Sequence, residues 1–428
     1  MNDPAPALPQ DVAGTSSRED RWARQQVLRL AAVFFLVFVG GGAFQQFLAE
    51  TLKGATDPRA LRTTLLAVTY GSFLLWRIGV AWTEQWLGEW ASIALGALCY
   101  AFLPFLIVVG APAWLLIVGA TVWGFGAASF WVASGTRVLH LTTQSRYGRG
   151  TAAIYVGSLT GIALGLVAQS YLGERWGAGA IPWWAAGASL AGAALAATLW
   201  RGSAPQERPT WSAYRGLLLD SHILLAGVML FASGLTYGVL LSTFSDAVVE
   251  RSSLGKLGLV ALCFHLPKAA LSYVGGWASD RWGRNRAMAA GFLAGAGGLL
   301  LTGLLVWTPA FSAGGAPLEV AGLALAALFL GIPAGVVPVA GSALVGDRVS
   351  GPRRMMGLGS LFIWRDAAVV AGMLGSEYLR RSLNLSGSYL VMALILAGFA
   401  LASGRLTRLR PEASASRGQS AALKGNLE

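Results

Sequence analysis

The sequence predicts an all-α membrane protein of twelve transmembrane helices in two pseudo-symmetric six-helix halves. Three observations predict it: a composition poorly suited to water, twelve apolar runs of spanning length, and a polar interruption near mid-chain. Of 428 residues, 55% are hydrophobic and only 12% are charged, with 56 glycines. Soluble domains carry about 25% charged residues. A soluble multidomain enzyme, a disordered chain and a collagen-like chain are therefore poor fits, and lipid is the expected solvent for much of the surface. At about 20 apolar residues per crossing, twelve crossings leave room only for short loops and tails.

The elements follow in chain order. Residues 1–26 are polar, with Pro4, Pro6 and Pro9 and the cluster Arg18, Arg21, Arg24. They lack a short apolar core with a small-residue cleavage site, so they read as a retained cytoplasmic tail. Apolar runs then predict spans at 27–49, 63–83, 90–109, 113–135, 151–172 and 181–200. Together they make an N-terminal half over 27–200. Residues 201–220 form a central cytoplasmic loop, the longest polar interruption. Spans follow at 221–243, 257–278, 287–307, 318–345, 356–378 and 387–404, a C-terminal half over 221–404, and 405–428 is a second cytoplasmic tail. The runs are rich in Gly and Ala, which lets helix backbones approach closely in lipid. No run shows the ten-residue alternation of a membrane β-barrel.

Orientation follows from basic residues in short loops. With both termini cytoplasmic, inner segments hold 21 Lys and Arg against 8 outside. Arg77, Lys268 and Arg365 fall within spans. The two halves also share features: Gly150, Gly165 and Tyr171-Leu172 recur as Gly357, Gly372 and Tyr378-Leu379, each 207 residues later. Such internal duplication is the usual build of secondary transporters.

The net charge of +12 sits in short clusters between apolar runs, not in one aromatic-interleaved stripe, so no nucleic-acid partner is expected. Cys99 and Cys263 each lie inside an apolar run, which indicates neither a disulfide framework nor a zinc site. His140, His222 and His265 are scattered, and neither H-E-x-x-H nor G-x-S-x-G occurs. The sequence therefore predicts no catalytic set, no metal, no cofactor and no enzyme.

The most specific local signal is Gly276-Trp277-Ala278-Ser279-Asp280-Arg281-Trp282-Gly283-Arg284-Asn285-Arg286, between spans 8 and 9. Glycine permits a tight turn, Asp280 can face a helix N-terminus, and the arginines set topology and can pair across a gate. This loop resembles the G-x-x-x-D-R-x-G-R-x-R signature of the major facilitator superfamily, which helps latch the outward-open state. Gly276, Asp280, Arg281, Gly283, Arg284 and Arg286 are its gating candidates. Arg149-Gly150-Thr151-Ala152 resembles the family's start of span 5. The equivalent loop between spans 2 and 3, residues 81–89, keeps Gly88 but has lost the Asp and every Arg. The resemblance implies a transporter working by alternating access, sufficient as a monomer, with a small solute and the bilayer as its partners. Its short, arginine-rich inner loops suit a bacterial inner membrane.

Ionisable side chains inside spans are costly and mark candidate sites. Lys268 lies at mid-depth in CFHLPKAALSY, with His265 on the same helical face and Pro267 between them. Lys268 is expected to face a wet cavity or a carboxylate. Arg365 and Asp366 lie about mid-span in span 11; one reading pairs Asp366 with Lys268 and leaves Arg365 toward the pathway or the inner gate, and the other has Arg365 reaching the cytoplasmic interface. Arg77, nearer the cytoplasmic face, is expected to snorkel or pair at a gate. The resemblance further implies that spans 1, 4, 7 and 10 line the cavity. Gln45, Gln46, Trp131, Ser134, Thr236 and Tyr237 are the matching candidates.

Three in-span cations stand against one clear acid, Asp366. Exporters of the family often carry an Arg in span 4 within R-x-x-Q-G-x-G. Here Gly124-Phe125-Gly126 survives but Ala120 stands at the Arg position. The balance points to an organic anion or metabolite. The alternatives are a proton-coupled multidrug exporter, with Asp366 or His265 carrying the proton, and a non-transporting sensor or assembly factor of the same fold.

Overall fold

The computed structural model describes residues 17–141, 147–199, 210–308, 317–348 and 354–403. The tail, linker and loop residues outside those ranges, Arg353 and most of both predicted termini among them, lie outside the described set. Within it the chain is all helical, as lipid requires of a backbone that must satisfy its own hydrogen bonds. The long apolar helices are α1 (Arg21–Thr51), α2 (58–87), α3 (89–108), α4 (Ala113–Val138), α5 (Ala153–Trp176) and α6 (Ala180–Ala197). After a short amphipathic helix, Trp211–Leu218, come α7 (Ile223–Arg251), α8 (Leu254–Trp282), α9 (Arg284–Trp307), α10 (Leu318–Gly341), α11 (354–383) and α12 (385–403). The helix at Trp211–Leu218 lies where the sequence reading expects only a loop. Its Tyr214 stacks on Trp82 at 5.9 Å between ring centroids.

Two of these helix pairs form unbroken runs joined by a single residue. Between α2 and α3 it is Gly88, at φ 74° and ψ 163°; between α11 and α12 it is Asn384, at φ 71° and ψ 176°. Gly283, at φ 90° and ψ 141°, does the same between α8 and α9. Glycine adopts such angles without the steric penalty of a Cβ. Residues 84–87, expected in a loop, are helical, and the whole reversal falls on Gly88. The contacts confirm the reversal at Asn384. Gly372 of α11 packs against Leu235 and Gly238 of α7, while Ser386 of α12 donates to the Gly303 carbonyl of α9 at 3.0 Å.

Small residues set the helix spacing. Gly157, Gly161 and Gly165 of α5 place their backbones against the carbonyls of Ala31, Phe35 and Val39 of α1, where any Cβ would collide. At 207 residues further on, Trp364, Ala368 and Gly372 of α11 face α7, with Trp364 lying against Gly227 and Ala368 against Gly234. Each stripe ends on a hydrogen-bonding residue beside a stretch of its partner that leaves α-geometry. Gln169 Nε2 donates to the Val39 and Gly40 carbonyls at 2.9 Å, beside the π-helical segment Phe38–Gly42. Ser376 Oγ lies 2.9 Å from Ser242 Oγ in the π-helical segment Leu240–Phe244. Local π-geometry frees backbone groups, and Gln169 satisfies two of those near Phe38–Gly42.

The core is apolar and aromatic, with Phe34, Phe44, Phe130, Trp123, Phe244, Phe264 and Phe292 fully enclosed. Large apolar side chains such as Leu75, Trp86, Trp114, Leu304 and Leu401 face outward, the surface that acyl chains would cover.

Candidate functional site

Depth along the helices places the in-span charges. In α8, Lys268 lies 14 residues from Leu254 and 15 from Gly283, about 21 Å and 23 Å at helical rise. Arg77 of α2 and Asp366 of α11 lie at a comparable level. Arg77 Nε donates to Asp366 Oδ2 at 2.5 Å, linking a helix of the first six to one of the last six. Arg365 donates from Nε and a terminal nitrogen to the other oxygen, Oδ1, at 2.9 and 2.6 Å. Asp366 is fully buried, whereas the side chains of Arg77 and Arg365 retain 10% and 31% exposure. The ring of Phe362 lies 5.6 Å from the Arg77 guanidinium and 5.0 Å from that of Arg365, and Phe73 lies 4.5 Å from Arg77.

This corrects the expected pairing of Asp366 with Lys268. Adjacent residues leave a helix about 100° apart, yet the long Arg365 side chain folds back onto its neighbour, and Arg77 reaches the remaining oxygen. Lys268 has no ion-pair partner among the described residues. Its Nζ stands 5.2 Å from the centre of the Tyr237 ring, within range of a cation–π contact. Tyr237 in turn packs with Phe264, His265 and Tyr70 at 5.8, 6.2 and 6.3 Å. His265 is buried, and its Nδ1 has no hydrogen-bond partner among the described residues. Tyr70 donates to Gln45 Oε1 at 2.7 Å, which brings Gln45 to the same cluster.

The other expected pathway residues make packing and hydrogen-bond contacts of their own. Trp131 belongs to an aromatic cluster of the first helices, 4.9 Å from Phe34 and 5.5 Å from Tyr155. Ser134 and Thr236 are buried; Thr236 bonds the Ser233 carbonyl at 2.7 Å. Gln46 accepts from Ser245 Oγ at 2.8 Å, on the seam between α1 and α7.

That seam leads to residues the sequence reading missed. At the end of the bundle predicted to face outward, Arg62 of α2 forms a bidentate pair with Asp246 of α7, both buried, and Arg59 pairs with Glu250. Arg251 also pairs with Glu319 at 3.2 Å. The available signal was an acid at 246 and bases at 59 and 62, all at span ends on one predicted face. A second seam joins α5 to α8, where Ser170 Oγ accepts from Gly258 N at 2.9 Å and lies 3.4 Å from the Leu254 carbonyl.

At the opposite end, Gly283 makes the turn of the signature loop. Arg281 and Arg286 are exposed beside it and Arg284 is half-buried. For Gly276 and Asp280 only the backbone is described, on the last turns of α8. In the eroded loop, Glu89 and Arg137 of α4 approach to 4.0 Å, both buried.

Comparison with known proteins agrees with this architecture. Residues 223–426 match the sequence model of the Major Facilitator Superfamily. The crystal structure of the nucleoside transporter NupG aligns with a TM-score of 0.68 at 12% identity, over 90% of this chain and 100% of that one. A mutant of NupG gives 0.67 and 13%, over 90% and 99%. No curated protein sequence matches. Its long apolar helices make the chain an integral membrane protein, and its C-terminal part is similar to the Major Facilitator Superfamily.

Proposed function

We propose that the protein moves an organic anion across the membrane by alternating access, at a site near mid-depth lined by Lys268, Arg365, Arg77, His265, Tyr237 and Gln45. The observation that carries this reading is the charge of the mid-depth cluster: three cations and one carboxylate, Asp366. In a low-dielectric interior such an excess of positive charge favours an anionic ligand. The aromatic rings of Tyr70, Tyr237 and Phe264 beside Lys268 favour an anion with an apolar or aromatic body. Gln46, Trp131, Ser134 and Thr236 then act by packing the surrounding helices, and the Gly276–Arg286 loop serves the gate. The reading includes a monomer, no bound cofactor or metal, both termini cytoplasmic, and a bacterial inner membrane.

The proton-linked export of hydrophobic cations fits less well. Asp366, its natural counter-charge, is already held by two guanidiniums that would repel a cationic drug. The test is thermal stabilisation of the purified protein in detergent by organic anions, organic cations, nucleosides and other neutral metabolites, since binding to the native state raises its stability. Hits among anions that vanish in Lys268→Ala support the anion reading. Hits among hydrophobic cations, kept in Lys268→Ala and lost in Asp366→Asn, would replace it with the exporter. Hits confined to nucleosides would align this chain with the transport named for NupG.

A further inference from the structure

The two oxygens of Asp366 have different partners. Oδ1 is held by Arg365, its neighbour on the same helix, through two hydrogen bonds. Oδ2 is held by Arg77, which belongs to a helix of the other six. One link therefore moves with α11, and the other must break when α2 and α11 separate. Breaking it leaves Asp366 paired, because Arg365 stays, but it leaves the Arg77 guanidinium without a counter-charge. An unpaired charge in such a setting is strongly destabilising. Something anionic has to take over at Arg77, and Arg77 and Arg365, 5.6 and 5.0 Å from the Phe362 ring, keep 10% and 31% of their side chains exposed and so open to a ligand.

We infer that Asp366 is a tethered stand-in for the anionic group of the solute: its Oδ2 occupies Arg77 when the site is empty and yields it to the solute, while Arg365 keeps Oδ1. The inference rests on the anion-transport reading above. It gives Asp366 a definite role in the cycle. With the stand-in present, the empty carrier closes around a compensated Arg77 and returns without cargo. Without it, only the loaded carrier can close, and net transport becomes exchange.

The test uses the full-length protein, with benzenesulfonate as probe because it joins a ring to a permanent anion. In detergent, Asp366→Asn is expected to bind benzenesulfonate at least tenfold more tightly than the original protein, and the added change Arg77→Gln is expected to remove the gain. In liposomes loaded with radiolabelled benzenesulfonate, Asp366→Asn is expected to retain efflux against saturating external benzenesulfonate. Its efflux into probe-free buffer is expected to fall at least tenfold relative to that exchange.

Anion binding that depends on Lys268 but is unchanged or weaker in Asp366→Asn would overturn the inference and leave the transport reading intact. So would an unchanged ratio of net efflux to exchange. Absence of anion binding in both proteins would overturn the two together. Should Asp366→Asn not fold, spin labels at Leu75→Cys and Leu374→Cys, on lipid-facing positions of α2 and α11, keep Asp366 in place, with Cys99 and Cys263 replaced. Saturating benzenesulfonate is expected to shift their distance distribution to longer values, and an unchanged distribution would overturn the inference.

Discussion

The two seams that join the first six helices to the last six are built from opposite materials. Where α5 meets α8 the contact is close and holds no ion pair among the described residues: Gly258 leaves no room for a Cβ beside Ser170 and the Leu166 carbonyl, Gly255 leaves none beside the Glu174 carboxylate, and one serine hydroxyl ties the backbones. Where α2 meets α7 and α11, the contact is charged, through Arg59, Arg62 and Arg77 against Glu250, Asp246 and Asp366. Backbone packing against glycine resists separation whatever the ionic conditions, whereas ion pairs can be competed for by ligands and screened by salt. On this contrast the glycine seam is expected to serve as the pivot and the charged seam as the latch.

Substitutions can break or sharpen this contrast. The largest effect is expected from Arg62→Ala, which leaves Asp246 buried with only the more distant Arg59, at 3.8 Å, for compensation. Loss of one partner of a buried pair costs about 3 kcal/mol, read as a lowered unfolding midpoint in detergent. Gly258→Val on the other seam is expected to cost about 2 kcal/mol by overpacking. It should also slow transport at every salt concentration, while Arg62→Ala alters its salt dependence. Ser170→Ala, which deprives the Gly258 N–H of its acceptor, is expected to cost about 1 kcal/mol in the same unfolding measurement. Arg59→Gln removes a pair whose members are 39% and 42% exposed. It should change stability by no more than about 0.5 kcal/mol, an effect that vanishes in high salt.

The smallest effect concerns the start of α2. Asp57 caps that helix, accepting from the Ala60 N–H at 3.0 Å with Pro58 following, a favoured pair of helix-start residues. That hydrogen bond holds its carboxyl below the usual carboxylate range. A lowered folded-state value means that the cap contributes above the unfolded value of about 3.9 and is lost as pH falls through the folded one. Thermal unfolding should therefore separate Asp57→Asn from the original protein slightly at neutral pH and not at all in strong acid.

Much of the fold was legible in the sequence because lipid imposes a single rule: long apolar runs become helices. The 207-residue recurrence of Gly165 as Gly372 marked a real correspondence, since each glycine sits in a four-residue stripe against the first helix of its set. What the sequence could not supply was partnership. Arg77 and Asp366 are 289 residues apart, and Arg62 and Asp246 are 184 apart. No local pattern joins either pair. Lys268 and Asp366 matched as opposite charges at one depth, but depth leaves azimuth open, and Lys268 instead stands over an aromatic ring. Residues 84–87 misled for another reason. Glu84 and Gln85, between apolar runs, read as the start of a loop, although a helix can extend beyond the hydrocarbon core into the headgroup region.

The single-residue reversals at Gly88 and Gly283 remove slack from the chain. A flexible loop would let α2 tilt while α3 stood still; a one-residue elbow passes the tilt on. When Arg77 changes partner, the motion of α2 is therefore delivered to α3, and that of α8 to α9, as through a bent rod. The same stiffness restricts how this chain can vary in length. One residue added after either glycine would turn the following helix by about 100°, carrying its core-facing side toward lipid. These two elbows should tolerate insertion far less readily than the polar stretch at mid-chain.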